Sequence, residues 1–209
     1  MNHLLPVGLL AALAAAWVAP AQATTLAPLT TNQMTDASDL VVRGTITDVW
    51  TTNVNGKIWT HADLQVERVY KGAAVGQHIT LESLGGQYDG MIAEVALAAR
   101  YSIGEEVFAF LVAHPARETY GTVGMYAGKY TIRVNPADAS EMVVRYTLPY
   151  RDAYDARFIP NPSADEREAL SGLESAVTTR VSQGWDGKPI PGIASDHLRQ
   201  INRLQAGVQ

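Results

Sequence analysis

Between Asp39 and about Arg145, apolar side chains recur at every second position, in runs of Val, Ile, Thr and aromatic residues separated by Gly and Asn. A period of two sends alternate side chains to opposite faces of a pleated chain, which commits this stretch to strands and rules against amphipathic helices. In LVVRGTITDVW, Leu40, Val42 and Ile46 face one way while Arg43, Thr45 and Thr47 face the other. The run IWTHADLQVERVY is the cleanest: Ala62, Leu64 and Val66 point inward, and His61, Asp63, Gln65 and Glu67 point to water. Asn53-Val54-Asn55-Gly56 between the two runs marks a hairpin turn, since Asn and Gly tolerate positive φ.

The alternation resumes in HITLESL with Ile79 and Leu81, and Gly85-Gly86 breaks it. MIAEVALAAR fits either a strand or a helical turn. Gly104-Glu105-Glu106 leads into VFAFLVA, which is apolar on both faces and is expected to be the most buried strand. Further strands are expected near Tyr120–Tyr126, Tyr130–Val134 and Met142–Tyr146. Six or seven short strands at this spacing predict a mainly β fold, a sandwich or a small closed or partly open antiparallel barrel.

The ends of the chain read differently. An apolar run from Leu4 to Ala19 ends at Ala21-Gln22-Ala23, the small-x-small spacing of an export signal, so the mature protein is expected to begin at Thr24. The run is shorter than the roughly 20 residues that span a bilayer, and the next Lys or Arg is Arg43, which argues against a retained anchor. No membrane span is expected in the mature chain, and the expected location is the periplasm or the medium. From Leu148 to Pro162 the chain loses periodicity and reads as a linker. Ser163 and Glu166 have capping-box spacing, and Leu170, Leu173, Val177 and Val181 make an apolar stripe, predicting a helix from Ser163. A second short helix is expected at about Ser195–Leu204. The expected organisation is thus a signal peptide (1–23), an N-terminal segment (24–38), a barrel (39–147), a linker (148–162) and a C-terminal helical extension (163–209).

Composition narrows the function. The chain has no cysteine, which removes disulfides, thiolate nucleophiles and zinc–thiolate sites together. A net charge of −5 without a cationic cluster argues against nucleic acid as a partner. No HExxH, GxSxG, GxxxxGK or GxGxxG pattern occurs, so hydrolase and nucleotide chemistry lack their usual anchors. The five histidines, at positions 3, 61, 78, 114 and 197, are scattered. His61, Asp63 and Glu67 share one strand face, where two of them could hold a cation through water, although a solvated face is the plainer reading. Gln87, Tyr88 and Asp89, after the Gly-Gly break, form a polar loop that could contact a ligand or simply connect two strands. Trp50, Trp59, Tyr126 and Tyr130 could form an aromatic platform if they share a face, though packing alone favours aromatics in strands. Glu105-Glu106 are adjacent, so their carboxylates should diverge. Neither a catalytic residue nor a metal or other cofactor is assigned.

Ser38-Asp39-Leu40-Val41-Val42-Arg43-Gly44, Val66-Glu67-Arg68-Val69-Tyr70-Lys71-Gly72 and Gly104-Glu105-Glu106-Val107-Phe108-Ala109-Phe110-Leu111 resemble segments of the netrin-like, oligosaccharide-binding (OB) type barrel. That barrel forms the inhibitory domain of tissue inhibitors of metalloproteinases, and some related exported bacterial domains accompany secreted peptidases. The resemblance covers about Asp39 to Val134 and implies the fold. The inhibitors chelate zinc through an N-terminal cysteine, which Thr24 cannot replace, and nothing in the sequence fixes the segment Thr24–Thr35. The expectation is an exported, non-catalytic binding module for another exported protein, a peptidase being one option. The alternatives are a structural or envelope-associated protein and a hydrolase whose site leaves no mark in the sequence.

Overall fold

The computed structural model describes residues 29–73, 78–95, 97–114, 116–145 and 166–194. The segments expected to be an export signal (1–23) and a linker (148–162), the expected helix start at Ser163 and the helix expected at Ser195–Leu204 lie outside the described residues.

Two long strands, β1 (Leu40–Val54) and β2 (Lys57–Lys71), form the antiparallel hairpin that the alternation predicts. Asn55 (φ 52°) and Gly56 (φ 78°) make its turn, the left-handed pair that matches the twist of the flanking strands. Register shifts beside Val41, Arg43 and Ile46 are bulges, which add twist and let the hairpin coil into a barrel wall. At the second of these the chains approach so closely that a Cβ on Gly44 would sit 2.1 Å from the Gln65 carbonyl oxygen. Only glycine fits there.

The barrel then closes. β3 (His78–Leu84) pairs antiparallel with β2, and after a small hairpin, β4 (Gly86–Tyr88) and β5 (Met91–Ala93), the chain reaches β6 (Glu106–His114) and β7 (Thr119–Thr122). β7 lies antiparallel to β6 and meets β3 in parallel at Leu81 and Tyr120, while β6 pairs along its other edge with β1 from Leu40–Leu111 to Thr45–Glu106. The ring β1-β2-β3-β7-β6-β1 is a partly closed five-stranded barrel, its parallel seam held by a single registered pair. From the first half of β6 a branch of β8 (Lys129–Val134), β9 (Glu141–Arg145) and β10 (Glu166–Ala169) extends the sheet.

Two apolar cores use the two faces of the wall. Leu40, Val42, Ile46, Ala62, Leu64, Leu81, Val107, Ala109 and Leu111 fill the barrel. Val41, Phe108 and Phe110 point the other way, into a second core with Tyr130, Val143, the helix α1 (Thr31–Ala37) and the helix α2 (Leu170–Gln183). This explains why β6 is apolar on both faces, with Val107 to Leu111 wholly buried. A buried Phe or Leu contributes roughly 1.5–3 kcal/mol, so the helices are integral to stability.

Three expectations are corrected. The C-terminal helix begins at Leu170, because Glu166–Ala169 first pairs with the free edge of β9, so Glu166 does not cap a helix begun at Ser163. Leu170, Leu173 and Val177 are buried as the stripe predicts, whereas Val181 is 38% exposed near the end of the helix. The N-terminal segment is fixed from Leu29 onward. Thr30 caps α1 reciprocally with Gln33, Met34 and Ala37 are buried, and Asp36 accepts a two-pronged contact from Arg180 of α2 at 2.6 and 2.9 Å. Lys71, buried at the end of β2, donates to the carbonyls of Thr35 and Asp36. Desolvation lowers its pKa to about 8, opposed by nearby Asp36 and Asp39.

Two predictions follow from the packing. Leu64→Asp puts an uncompensated carboxylate inside the barrel and should cost at least about 3 kcal/mol in urea denaturation, while Gln65→Asp on the wet face should stay within about 0.5 kcal/mol. Equal losses would refute the inward–outward assignment. The second concerns alkaline pH. Burial raises the hydroxyl pKa of Tyr101 and of Tyr130 to about 12, above the ordinary value of 10.0. The native state therefore keeps these protons after the unfolded chain has lost them, so their stabilisation is complete below about pH 10 and is lost toward about pH 12. Thermal midpoints should fall across that interval, and Tyr101→Phe should make the fall shallower. A midpoint independent of pH there would contradict the burial of both hydroxyls.

Candidate functional site

On the outer wall of the barrel, one polar or aromatic residue from each of the five strands joins a continuous row. Trp50 of β1 is opposite His61 of β2, His61 is opposite Glu82 of β3, Glu82 is bonded to Thr119 of β7, and Thr119 is opposite His114 of β6. The row arises because the outward positions of each strand fall into lateral register, which the inward apolar set fixes from behind.

Its parts are held by specific contacts. The Trp50 and His61 rings stack with centroids 5.3 Å apart and planes 16° from parallel, and His61 Nε2 lies 2.8 Å from the Thr52 hydroxyl. The His114 imidazole lies directly over Gly121, where a Cβ would sit 2.7 Å from Nε2. Trp59 shares the outward face with His61, and the Arg117 guanidinium from the β6–β7 loop lies 4.9 Å from the Trp59 ring centre. Trp50 itself is 37% exposed, and Val54 on the same face is exposed as well.

Glu82 is the unusual member. Its side chain is only 3% exposed, and Oε2 accepts from the Thr119 hydroxyl at 2.9 Å. Oε1 is 3.2 Å from an Arg117 nitrogen, but no N–H lies in line with it, so the contact is an ion pair without a hydrogen bond. Among the described residues, Glu82 Oε1 is the one buried side-chain polar atom left without a hydrogen bond. Burying a carboxylate oxygen without a donor is costly, and such atoms call for a physical reason.

The residues singled out in the sequence divide between two places. His61 belongs to the row. Asp63, one step along the same face, accepts from the Thr80 hydroxyl at 2.8 Å, and Glu67 accepts from Thr45 at 2.7 Å. The three carboxylate and imidazole groups thus have separate partners, and among the described residues no three metal-ligating side chains converge. Gln87, Tyr88 and Asp89 lie elsewhere. They form the tip of the β4–β5 hairpin, with Asp89 at φ 46°, and that hairpin packs on the opposite face of β1 and β2: Thr51 donates to the Gln87 carbonyl and Thr60 to the Gly85 carbonyl. A cleft of about 300 Å³ beside this hairpin is lined by Leu84, Ile92 and Tyr101 among smaller residues, with Glu94 and Arg100 paired at 2.8 Å.

The four candidate platform aromatics also divide. Trp50 and Trp59 share the outer face, whereas Tyr130 is in the second core and Tyr126 sits in the β7–β8 loop, its amide bonded to the Leu97 carbonyl. Glu105 and Glu106 diverge as expected: Glu105 accepts from Lys129 and Thr131 beside the barrel mouth, and Glu106 accepts from Arg43, which also pairs with Glu141.

The row and Trp59 beside it present two indole rings, two imidazoles and one partly satisfied carboxylate on strands of the barrel wall. That is the equipment of a binding surface for a cationic or amphipathic group. No family model matches the chain. No curated protein matches it in sequence either.

The buried bond from Thr119 to Glu82 can be tested directly. Thr119→Val removes the hydroxyl that holds Oε2, and hydrogen bonds to charged groups contribute about 1.5–3 kcal/mol, so a loss of that size in urea denaturation is expected. A change below about 0.5 kcal/mol would show that Glu82 is satisfied by other means.

Proposed function

We propose that this protein is an exported, non-catalytic binding module of netrin-like OB type that recognises another exported protein, a secreted peptidase being one candidate class, through the outer wall of β1, β2 and β3. The observation that carries the reading is the exposed Trp50–His61 stack beside Trp59 and Glu82 on a sheet face whose strands are locked from behind by the barrel core. Aromatic anchors on rigid backbone lose little entropy on binding and dominate the energetics of protein interfaces. In OB-type barrels the face of strands 2 and 3, with the loops that flank it, is the usual ligand surface. The β1–β2 turn and the β6–β7 loop that carries Arg117 flank the corresponding face of this barrel. The apolar run ending at Ala21-Gln22-Ala23 supports export, and the resemblance of Asp39 to Val134 to netrin-like segments supports a protein partner.

The test is affinity capture from exported proteins with the purified protein, followed by measured affinity for whatever is retained. Trp50→Ala should weaken a genuine partner by at least about 2 kcal/mol, roughly thirtyfold, while Val134→Ser at an exposed site on β8 should leave it unchanged. A natively folded protein that retains no specific partner, or a partner indifferent to Trp50→Ala, would contradict the proposal.

A further inference from the structure

The slot between the Trp59 ring and the Glu82 carboxylate has a geometry suited to one kind of group. A planar guanidinium can stack on an indole and donate in its own plane to a carboxylate at the same time, which a compact ammonium cannot do. We infer that this slot receives an arginine side chain of the partner, and that in the free protein it is filled by the chain's own Arg117. The inference rests on the reading of this wall as the ligand face and specifies the chemistry of its occupant.

Three observations carry it. Glu82 Oε1 is buried and lacks a hydrogen bond, while Oε2 is already held by Thr119, so one acceptor is left open at the base of the slot. Arg117 fills the slot poorly. Its guanidinium carbon lies over Trp59, 4.9 Å from the ring centre, and one nitrogen comes within 3.2 Å of Oε1, yet no N–H is in line with that oxygen and the side chain is 47% exposed. The tether explains the misfit, because Arg117 belongs to the short turn between β6 and β7, next to Glu118 at φ 54°. An arginine arriving on another backbone has no such tether and can turn its fork onto Oε1. The surroundings favour a basic segment: Asp63 and Asp48, opposite one another, lie along the same face in a protein of net charge −5.

Arg117 then acts as an internal competitor, and removing it should strengthen binding of an outside arginine. The probe is a blocked Ala-Arg-Ala peptide, compared with its citrulline and lysine counterparts by calorimetry on the full chain. Arg117→Ala should bind the arginine peptide about tenfold more tightly than the unaltered protein. Adding Glu82→Gln to that variant should abolish the gain, and the lysine and citrulline peptides should bind more weakly in that order. If Arg117→Ala does not fold, Arg117→Lys keeps the charge but gives up the planar guanidinium, and should give a smaller gain in the same direction. Equal affinity with and without Arg117, as expected if water alone satisfies Oε1, overturns the inference, as does a citrulline peptide that binds like arginine. Failure of this test while Trp50→Ala still abolishes partner capture would sink the slot and leave the binding face standing. Arginine-peptide binding that follows Arg117 and Glu82, with partner capture indifferent to Trp50→Ala, would do the reverse.

Discussion

The structure depends on one strand being hydrogen-bonded along both edges. β1 pairs with β2 on one side and with β6 on the other over Leu40–Thr45, and this double pairing turns a hairpin sheet into a ring. Closure hides the strand edges that would otherwise invite pairing with other chains. It also forces the wall to have an inside and an outside, and the alternation along β1 and β6 supplies apolar side chains to both. The inner set fills the barrel, while Val41, Phe108 and Phe110 make the outer floor on which α1 and α2 rest. Where this floor ends, the outer wall is free to carry polar and aromatic residues.

That division places the candidate site. Over the first part of β6 and the branch strands the outer wall is covered by helices, and across β1, β2, β3, β7 and the end of β6 it carries the row from Trp50 to His114. The row is assembled from residues far apart in sequence but adjacent in register. Glu82 and Thr119 are brought together only when β7 docks in parallel beside β3. The carboxylate is therefore buried as a consequence of barrel closure, and its open oxygen faces the flank where Arg117 rests on Trp59. Closure and the candidate site are linked through the same seam.

Much of the barrel was legible along the chain because local pattern and tertiary burial agree. The alternation of Ala62, Leu64 and Val66 marks the inner face of β2, the Asn55-Gly56 turn marks the hairpin, and VFAFLVA marks a strand buried on both sides. The failures occur where distant partners decide. Ser163 and Glu166 look like a helix cap, yet the edge of β9 draws Glu166–Ala169 into the sheet. Helix α1 carried its own signal in Thr30 and Gln33, whose spacing is that of a capping box, but its packing depends on Arg180 and Lys71 from elsewhere. At the site, His61 was readable as an outward residue of its strand, whereas Trp50 keeps step with Leu40, Val42 and Ile46 along a regular strand and is turned outward only by the register shift between Ile46 and Asp48. Glu82 in HITLESL reads as an ordinary wet position, and nothing within that run shows that Thr119 and Arg117 will cover it. Gln87, Tyr88 and Asp89 do form an exposed turn, but it lies across β1 and β2 from the row.

The central claim is that β1 is paired on both edges, and cross-strand nuclear Overhauser contacts measure this directly. Contacts should connect Val42 to Val69 on one side and to Ala109 on the other in the same sample, with slow amide exchange along Leu40–Thr45. Contacts to β2 alone, with rapid exchange along the β6-facing edge, would show an open sheet and contradict the account.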